Sequence, residues 1–168
     1  MVNIYPDAYA MVQQGVSRSI ILQPASYGLF KGLKTVLLTS SELHKGLSSW
    51  AEDNNINVIH LGAQTYTGSS NSASGITEEL VKQGLEIILN VENHPILVMC
   101  SSGQETGCIF GCLRKLQGWN FNSIVAEYRG LSDNKSKYAV ELFIDLFDLD
   151  LVNIPINVPN WFNKRHSS

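Results

Sequence analysis

The sequence predicts an α/β fold in which a central, mostly parallel sheet is flanked by helices. Three short apolar runs of strand length lie at residues 34–39, 57–61 and 95–99, and the last two are rich in β-branched side chains. Stretches with apolar residues at helical spacing lie between and after these runs. Strands that alternate with helices usually pair in parallel, so this order favours a sheet with helices on both faces.

The elements follow in chain order. Each of the three runs is bounded by polar or turn residues, and we expect all three to be buried strands. Residues 41–54 carry leucines and Trp50 at helical spacing, which predicts the first helix. Residues 76–90 predict the second helix, and acidic Glu78 and Glu79 suit its first turn. The apolar face of this second helix consists of Ile76, Leu80, Leu85 and Ile88.

The second half of the chain is predominantly helical. Residues 107–116, 122–128 and 135–147 predict three further helices, and Asn122 suits the N-cap of the middle one. Residues 62–75 are rich in Ser, Gly, Thr and Asn and form too long a stretch for a simple connection. We expect them to form a mobile loop near the functional site.

Length, composition and charge indicate one compact domain. A chain of 168 residues with 44% apolar composition can bury a core without metals or disulfides, and we expect no cofactor. The formal net charge of −3 gives no broad basic surface, which argues against nucleic acid and membrane partners. Three cysteines without a secretory signal favour reduced thiols and a cytoplasmic protein. Residues 1–150 are assigned to a single domain, and residues 151–168 to a C-terminal arm that packs on it or contacts a partner.

A polar turn joins the third strand to the next helix. Such a turn points backbone N–H groups at one place above the helix N-terminus, where an anion is favoured. The same dipole biases Cys100, at the strand end, toward the thiolate, so Cys100 is the candidate nucleophile. A glycine turn that serves packing alone is the alternative. The candidate anion-binding loop consists of Ser101, Ser102, Gly103, Gln104, Glu105, Thr106 and Gly107.

A longer pattern surrounds this turn. It comprises residues 91–98 with His94-Pro95, then Cys100, Thr106-Gly107-Cys108, residues 111–119, Ser123-Ile124 and residues 127–129, preceded by matching residues at 11–19 and 32–36. The pattern covers about residues 10–148 and resembles the plant-and-fungal atypical dual-specificity phosphatases. That family includes inositol pyrophosphate phosphatases and the yeast oxidant-induced cell-cycle arrest proteins. The resemblance implies the cysteine-phosphatase fold.

The candidate loop departs from the family pattern in its basic residue. Family members have an arginine before the Ser/Thr-Gly pair, and here only six residues separate Cys100 from Gly107, one fewer than in the family. The arginine that would clamp phosphoryl oxygens is therefore deleted, and supplied arginines contribute on the order of 10³–10⁵ in rate. Met99 stands where the family has histidine, and Glu105 adds a carboxylate that opposes anion binding.

A general acid is also missing from the expected position. Residues 54–77 contain no Asp or Glu, although a positioned acid typically contributes about 10²–10⁴-fold. They contain no Lys or Arg to hold a polyphosphate either. Arg114 and Lys115 lie farther along the helix and match family residues that accompany the catalytic arginine without replacing it.

These departures favour a pseudophosphatase that acts as a regulatory or scaffold subunit. Its expected partners are related phosphatase-like proteins in a homo- or hetero-oligomer, and its expected ligand is a weakly bound phosphate or inositol polyphosphate. The alternative is an active cysteine phosphatase that hydrolyses inositol pyrophosphates or phosphoprotein through Cys100.

Several other residue groups could in principle form sites, and we expect them to be structural. Cys108 and Cys112 are four residues apart on one helix, but no second pair with ligand spacing accompanies them, so we expect core residues and no metal. Arg18 resembles a family arginine, and we expect it to form a structural ion pair. The remaining candidates are the four histidines, His44, His60, His94 and His166.

Overall fold

A central sheet organises the protein, whose computed structural model describes residue 2 and residues 4–61 and 76–162. Within these residues the strands are β1 (Ala10–Gln13), β2 (Val16–Ile20), β3 (Thr35–Leu38), β4 (Asn57–His60) and β5 (Ile96–Cys100). Their order in the sheet is β1-β2-β5-β3-β4. The β1–β2 pair is antiparallel, and the other neighbouring pairs are parallel. The predicted mostly parallel α/β sheet is confirmed.

The helices follow the predicted order with shifted ends. They are α1 (Lys45–Asp53), α2 (Glu78–Leu89), α3 (Gln104–Leu116), α4 (Phe121–Leu131) and α5 (Tyr138–Leu146), with short 3-10 helices at Pro24–Phe30, Val91–Asn93 and Leu149–Leu151. The predicted N-cap of α4 is wrong. Asn120 caps this helix, because its side chain accepts a hydrogen bond from the Ser123 N–H at 2.9 Å.

The sheet differs from the prediction at its edges. β1 has only three successive apolar residues and β2 has three polar residues between its two apolar ones, so neither forms an apolar run of strand length that the sequence could reveal. The strand predicted at 57–61 is present as β4, but the expectation that it is buried is wrong, since β4 has only one neighbour and its residues are half-buried or exposed. β3 and β5 lie inside the sheet and are fully buried, as predicted.

Two apolar layers cover the sheet, and α3 is central to the larger one. Side chains of α1 and of the Pro24–Phe30 helix pack on one face. Side chains of α2, α3, α4 and α5 pack on the other. Most residues of α3 are buried, and this helix contacts α2, α4 and α5. The helix that follows Cys100 is therefore held on three sides.

The described part of the C-terminal arm lies at the end of the sheet opposite Cys100. The Trp161 indole N–H donates to the Gln14 carbonyl at 3.0 Å, and its ring stacks on His94. Phe162 is buried in the core. The predicted mobile loop at residues 62–75 and the end of the arm at residues 163–168 lie outside the described residues.

None of the described helices combines the length and apolar character that crossing a membrane requires.

Candidate functional site

Cys100 is the last residue of β5, and the turn that follows closes over its sulfur. The Gly103 N–H donates a hydrogen bond to Cys100 Sγ at 3.0 Å, and Thr106 Oγ1 lies 3.4 Å from the same sulfur. Cys100 is fully buried, and Thr106 is 1% exposed. The candidate nucleophile and two residues of the predicted anion-binding loop therefore form one compact cluster.

The loop also makes polar contacts within itself. Gly103 has a φ of +78°, a left-handed conformation that glycine adopts at low cost, and it precedes the first residue of α3. Exposed Ser102 donates through its hydroxyl to Glu105 Oε2 at 3.2 Å and accepts from the Gln104 N–H at 3.4 Å. The N–H groups of Gly103 and Gln104 are therefore engaged inside the loop, while exposed Ser101 lies at its rim.

Gln104 anchors the start of α3 to the connection between α4 and α5. Its Oε1 accepts from the Tyr128 hydroxyl at 2.8 Å, and its Nε2 donates to the Lys135 carbonyl at 2.7 Å. The Lys137 N–H in turn donates to the Tyr128 oxygen at 2.9 Å. Gly107 packs against the same tyrosine, since a Cβ there would lie 2.7 Å from its ring. The Gln104 amide is thus part of the scaffold of the site.

The surroundings of Cys100 favour the neutral thiol. Burial is the main cause that raises the pKa of Cys100, and the charge of Glu105 raises it further. Hydrogen bonds from the Thr106 hydroxyl and backbone act in the opposite direction. A carboxylate thus lies near the sulfur, where a cysteine phosphatase would receive an anionic substrate.

The basic residues farther along α3 are engaged elsewhere. Arg114 makes a two-pronged contact with the Glu127 carboxylate at 2.9 and 3.1 Å and stacks over the Trp119 ring. Lys115 Nζ donates to three backbone carbonyls at the end of α5, those of Ile144, Asp145 and Phe147. Neither side chain is directed to the Cys100 loop.

Arg18 lies beneath the loop, and the prediction that it forms an ion pair is wrong. It projects from β2, and its Nη2 donates to Thr106 Oγ1 at 3.3 Å. Among the described residues the ion pairs are Lys82–Glu86, Arg114–Glu127 and Arg129–Glu141. The sequence indicates Arg18 only through its match to a family arginine. That match does not identify the residue that Arg18 contacts.

The other candidate residues have structural positions. Cys108 and Cys112 are fully buried in the core, as expected. His60 and His94 each bond a backbone carbonyl, those of Ser40 and Ile88. The described residues contain no cluster of His, Cys, Asp and Glu that could hold a metal ion. His166 lies outside the described residues.

The buried thiols should make the protein less stable in alkali. Burial raises the pKa of Cys108 well above its usual value of 9.0, and that of Cys100 is raised as well. The folded state binds these protons more tightly, so the stabilisation is complete below the unfolded thiol pKa and is lost as the pH rises through the folded values. We expect the free energy of unfolding to fall above about pH 9, by up to about 1.4 kcal/mol per pH unit for each thiol.

Urea unfolding at a series of pH values measures this slope. The Cys108→Ala variant is the control, because it removes one of the two titrating thiols and should have a shallower alkaline slope. Identical slopes in the parent and in this variant would mean that Cys108 does not contribute.

The chain is similar to phosphatases over nearly its whole length. A model described as the tyrosine phosphatase family matches residues 3–165. Probable tyrosine-protein phosphatase DG1060 of Dictyostelium discoideum is 43% identical and is covered over 96% of its length by 95% of this chain. Inositol diphosphatase DSP4 of Arabidopsis thaliana is 31% identical, with 90% of this chain and 78% of the relative covered.

A solved structure has the same architecture. The core catalytic domain of the PP-IP phosphatase SIW14 from S. cerevisiae, in complex with citrate, superposes with a TM-score of 0.77 at 29% identity. The match covers 87% of this chain and 88% of that domain. The cysteine-phosphatase fold that the sequence implied is confirmed.

Proposed function

Because the chain belongs to the tyrosine phosphatase family, we propose that it is a pseudophosphatase of that family and a regulatory or scaffold subunit in a complex with related phosphatase-like proteins. The observation that carries the proposal is the composition of the Cys100 loop. Residues 101–107 contain a carboxylate, that of Glu105, and no Lys or Arg. Phosphoryl transfer depends on positive charge around the transferring oxygens, and this loop presents none.

The carboxylate of Glu105 further weakens phosphate binding, in addition to the loss of the arginine. Its carboxylate lies in the first turn of α3 and accepts from Ser102, so a negative charge already interacts with the positive end of the helix. A phosphate dianion that approaches the loop meets this charge without an arginine to offset it. Binding of phosphate or an inositol polyphosphate should therefore be weak, and transfer to Cys100 slow.

The alternative function is an active cysteine phosphatase for inositol pyrophosphates or phosphoprotein. Two observations favour it. Cys100 Sγ accepts a hydrogen bond from Gly103 and lies within hydrogen-bond distance of Thr106, and the relatives reported above are named a probable tyrosine-protein phosphatase and an inositol diphosphatase. These contacts support the thiolate but supply neither an arginine nor a general acid, so we place this function second.

Steady-state hydrolysis separates the two candidates. We expect phosphate release from an aryl phosphate and from an inositol pyrophosphate to be no faster with the parent protein than with Cys100→Ser. A contaminating phosphatase would contribute equally to both preparations, so only the difference between them counts. Release by the parent that Cys100→Ser abolishes would establish the alternative.

An exposed apolar stripe on α5 supports the subunit role. Tyr138, Leu142 and Leu146 are spaced four residues apart on one face of the helix and are 76%, 42% and 71% exposed. A groove of about 320 Å³ beside them is lined by Phe143 and by Glu78 of α2. We propose that a related phosphatase-like chain covers this stripe.

Co-purification with a tagged chain from the cells that express it tests the subunit role. We expect a protein of the same family to be recovered with the parent and lost with the double variant Leu142→Glu, Leu146→Glu. Met11→Glu is the matched control, because Met11 is an exposed apolar residue on β1, away from α5. Recovery of no family member with the parent would refute the partner proposal.

A further inference from the structure

Arg18 is a buried guanidinium directly beneath the Cys100 loop. It lies on β2, where Arg18 pairs with Val98 and Ile20 pairs with Cys100, so the arginine is two positions below the end of β5. The residue is 3% exposed. Its Nη2 donates to Thr106 Oγ1 at 3.3 Å, and its Cζ lies 5.7 Å from the centre of the Phe110 ring. Its position below the loop keeps it from clamping a phosphate above the loop.

The charge of Arg18 has no carboxylate within ion-pair distance among the described residues. Removing a guanidinium from water costs several kcal/mol unless an anion or good hydrogen bonds compensate. Burial lowers the pKa of Arg18, and the groups that oppose this effect are Cys100 first, then Glu127 and Tyr128. The group that most favours the charged guanidinium is therefore the cysteine of the candidate site.

Thr106 connects the two groups. Its oxygen accepts from Arg18, lies 3.4 Å from Cys100 Sγ and is 3.1 Å from the Gly103 carbonyl, to which the hydroxyl donates. A threonine hydroxyl has one proton, so it can donate to only one of these acceptors at a time. Beside a thiol it can bond the Gly103 carbonyl, and beside a thiolate it turns to the sulfur. Donation from Arg18 polarises the hydroxyl and makes it the better donor for a thiolate.

We propose that Arg18 is a positioning residue which acts through Thr106 to favour the thiolate of Cys100, so that the buried cation of this site serves the cysteine instead of a bound phosphate. A Coulombic interaction is mutual, and a thiolate that stabilises the guanidinium is stabilised by it to the same extent. This role goes beyond the proposed function, because it concerns the ionisation of Cys100 whether or not the chain turns over phosphate.

Other ionisable groups also lie around Cys100 and Arg18. Those on α3 are Glu105 and Cys108, and those on α4 are Glu127 and Tyr128. Burial and Glu105 oppose the thiolate, and the Thr106 hydrogen bonds favour it. Arg18 acts on the same side through its hydrogen bond to Thr106. Without Arg18, burial and Glu105 still raise the pKa of Cys100, and only the Thr106 hydrogen bonds lower it.

Titration of the Cys100 thiolate by its ultraviolet absorbance tests the proposal directly, because absorbance does not require that a reagent reach the buried sulfur. The signal of Cys100 is the difference between each protein and the same protein with Cys100→Ser, which removes the contributions of Cys108, Cys112 and the tyrosines. The variants are Arg18→Met, Thr106→Val and Thr106→Ser. Lys82→Met is the control for loss of a positive charge elsewhere.

We expect the thiolate fraction at a given pH to fall about tenfold in Arg18→Met and in Thr106→Val, which is an upward shift of about one pH unit in the midpoint. Thr106→Ser restores the hydroxyl and should titrate like the parent, as should Lys82→Met. An unchanged midpoint in folded Arg18→Met would overturn the proposal, even if its thermal stability differs. If Arg18→Met does not fold, Thr106→Val decides, since it keeps the shape of the side chain and its unchanged midpoint would equally overturn the proposal.

The titration and the hydrolysis measurement test the two proposals independently. An unchanged Cys100 midpoint removes the role of Arg18 and leaves the pseudophosphatase proposal untouched. Hydrolysis that depends on Cys100 refutes the pseudophosphatase and leaves the role of Arg18 in place.

Discussion

Replacement of Glu105 by the dipeptide His-Arg is expected to raise the affinity for inorganic phosphate and for an inositol hexakisphosphate by about 10- to 100-fold. The change restores the family spacing between Cys100 and Gly107, removes a carboxylate and adds a bidentate donor. Hydrogen bonds to charged groups contribute about 1.5–3 kcal/mol each, which corresponds to that range of affinity. Gln104 is kept, because its amide anchors α3 to Tyr128 and Lys135.

Catalysis should respond much less than binding in this variant. A fixed arginine recognises phosphate oxygens in the ground state as well as in the transition state, and residues 54–77 still offer no carboxyl group as general acid. Isothermal titration calorimetry measures the affinity, and Glu105→Gln is the matched control that removes the charge without adding an arginine. If the His-Arg variant binds no better than Glu105→Gln, the arginine cannot reach the anion and the pocket has been lost beyond this loop.

Arg114→Met should lower the free energy of unfolding by about 3 kcal/mol, the lower end of the range for breaking a buried ion pair. Arg114 is 5% exposed, and it joins three parts of the chain. Its guanidinium contacts Glu127 on α4, the Val12 carbonyl on β1 and the Gln117 side chain at the end of α3. Methionine fills much of the volume but leaves Glu127 without its partner.

Urea unfolding of the parent and of Arg114→Met checks this value. Lys82→Met is the control, because Lys82 and Glu86 form an i, i+4 pair on the surface of α2 that should contribute little. Similar losses in the two variants would show that the Arg114 network is no stronger than an ordinary surface pair. A large loss in Arg114→Met alone would support a structural role for this arginine, distinct from phosphate binding.

The sequence predicted the elements that consist of apolar runs and missed those that do not. β3, β5 and the five helices were recognisable because burial requires continuous or periodic apolar residues. β2 is buried although it reads Val-Ser-Arg-Ser-Ile, since its polar side chains find partners such as Thr106 that only the folded chain brings near. The edge position of β4 could not be predicted from the sequence either, because it depends on the order of strands in the sheet.

The candidate site was predictable in outline. Cys100 and the loop that follows were found from the strand–turn–helix pattern and the resemblance, and their backbone geometry depends on local sequence such as Gly103. The partners of Gln104 and Arg18 were not predictable. Tyr128 lies 24 residues from Gln104, and Thr106 lies 88 residues from Arg18, so both contacts depend on packing between distant elements.

Phosphate release under single-turnover conditions tests the loss of catalysis most directly. The parent, Cys100→Ser and the Glu105→His-Arg variant are each held in excess over an inositol pyrophosphate or an aryl phosphate, and phosphate is followed until the uncatalysed reaction becomes measurable. Excess protein removes any dependence on product release, so the measurement reports the chemical step. We expect the time courses of the parent and Cys100→Ser to coincide. A single turnover by the parent that is absent from Cys100→Ser would contradict the claim that this loop cannot support phosphoryl transfer.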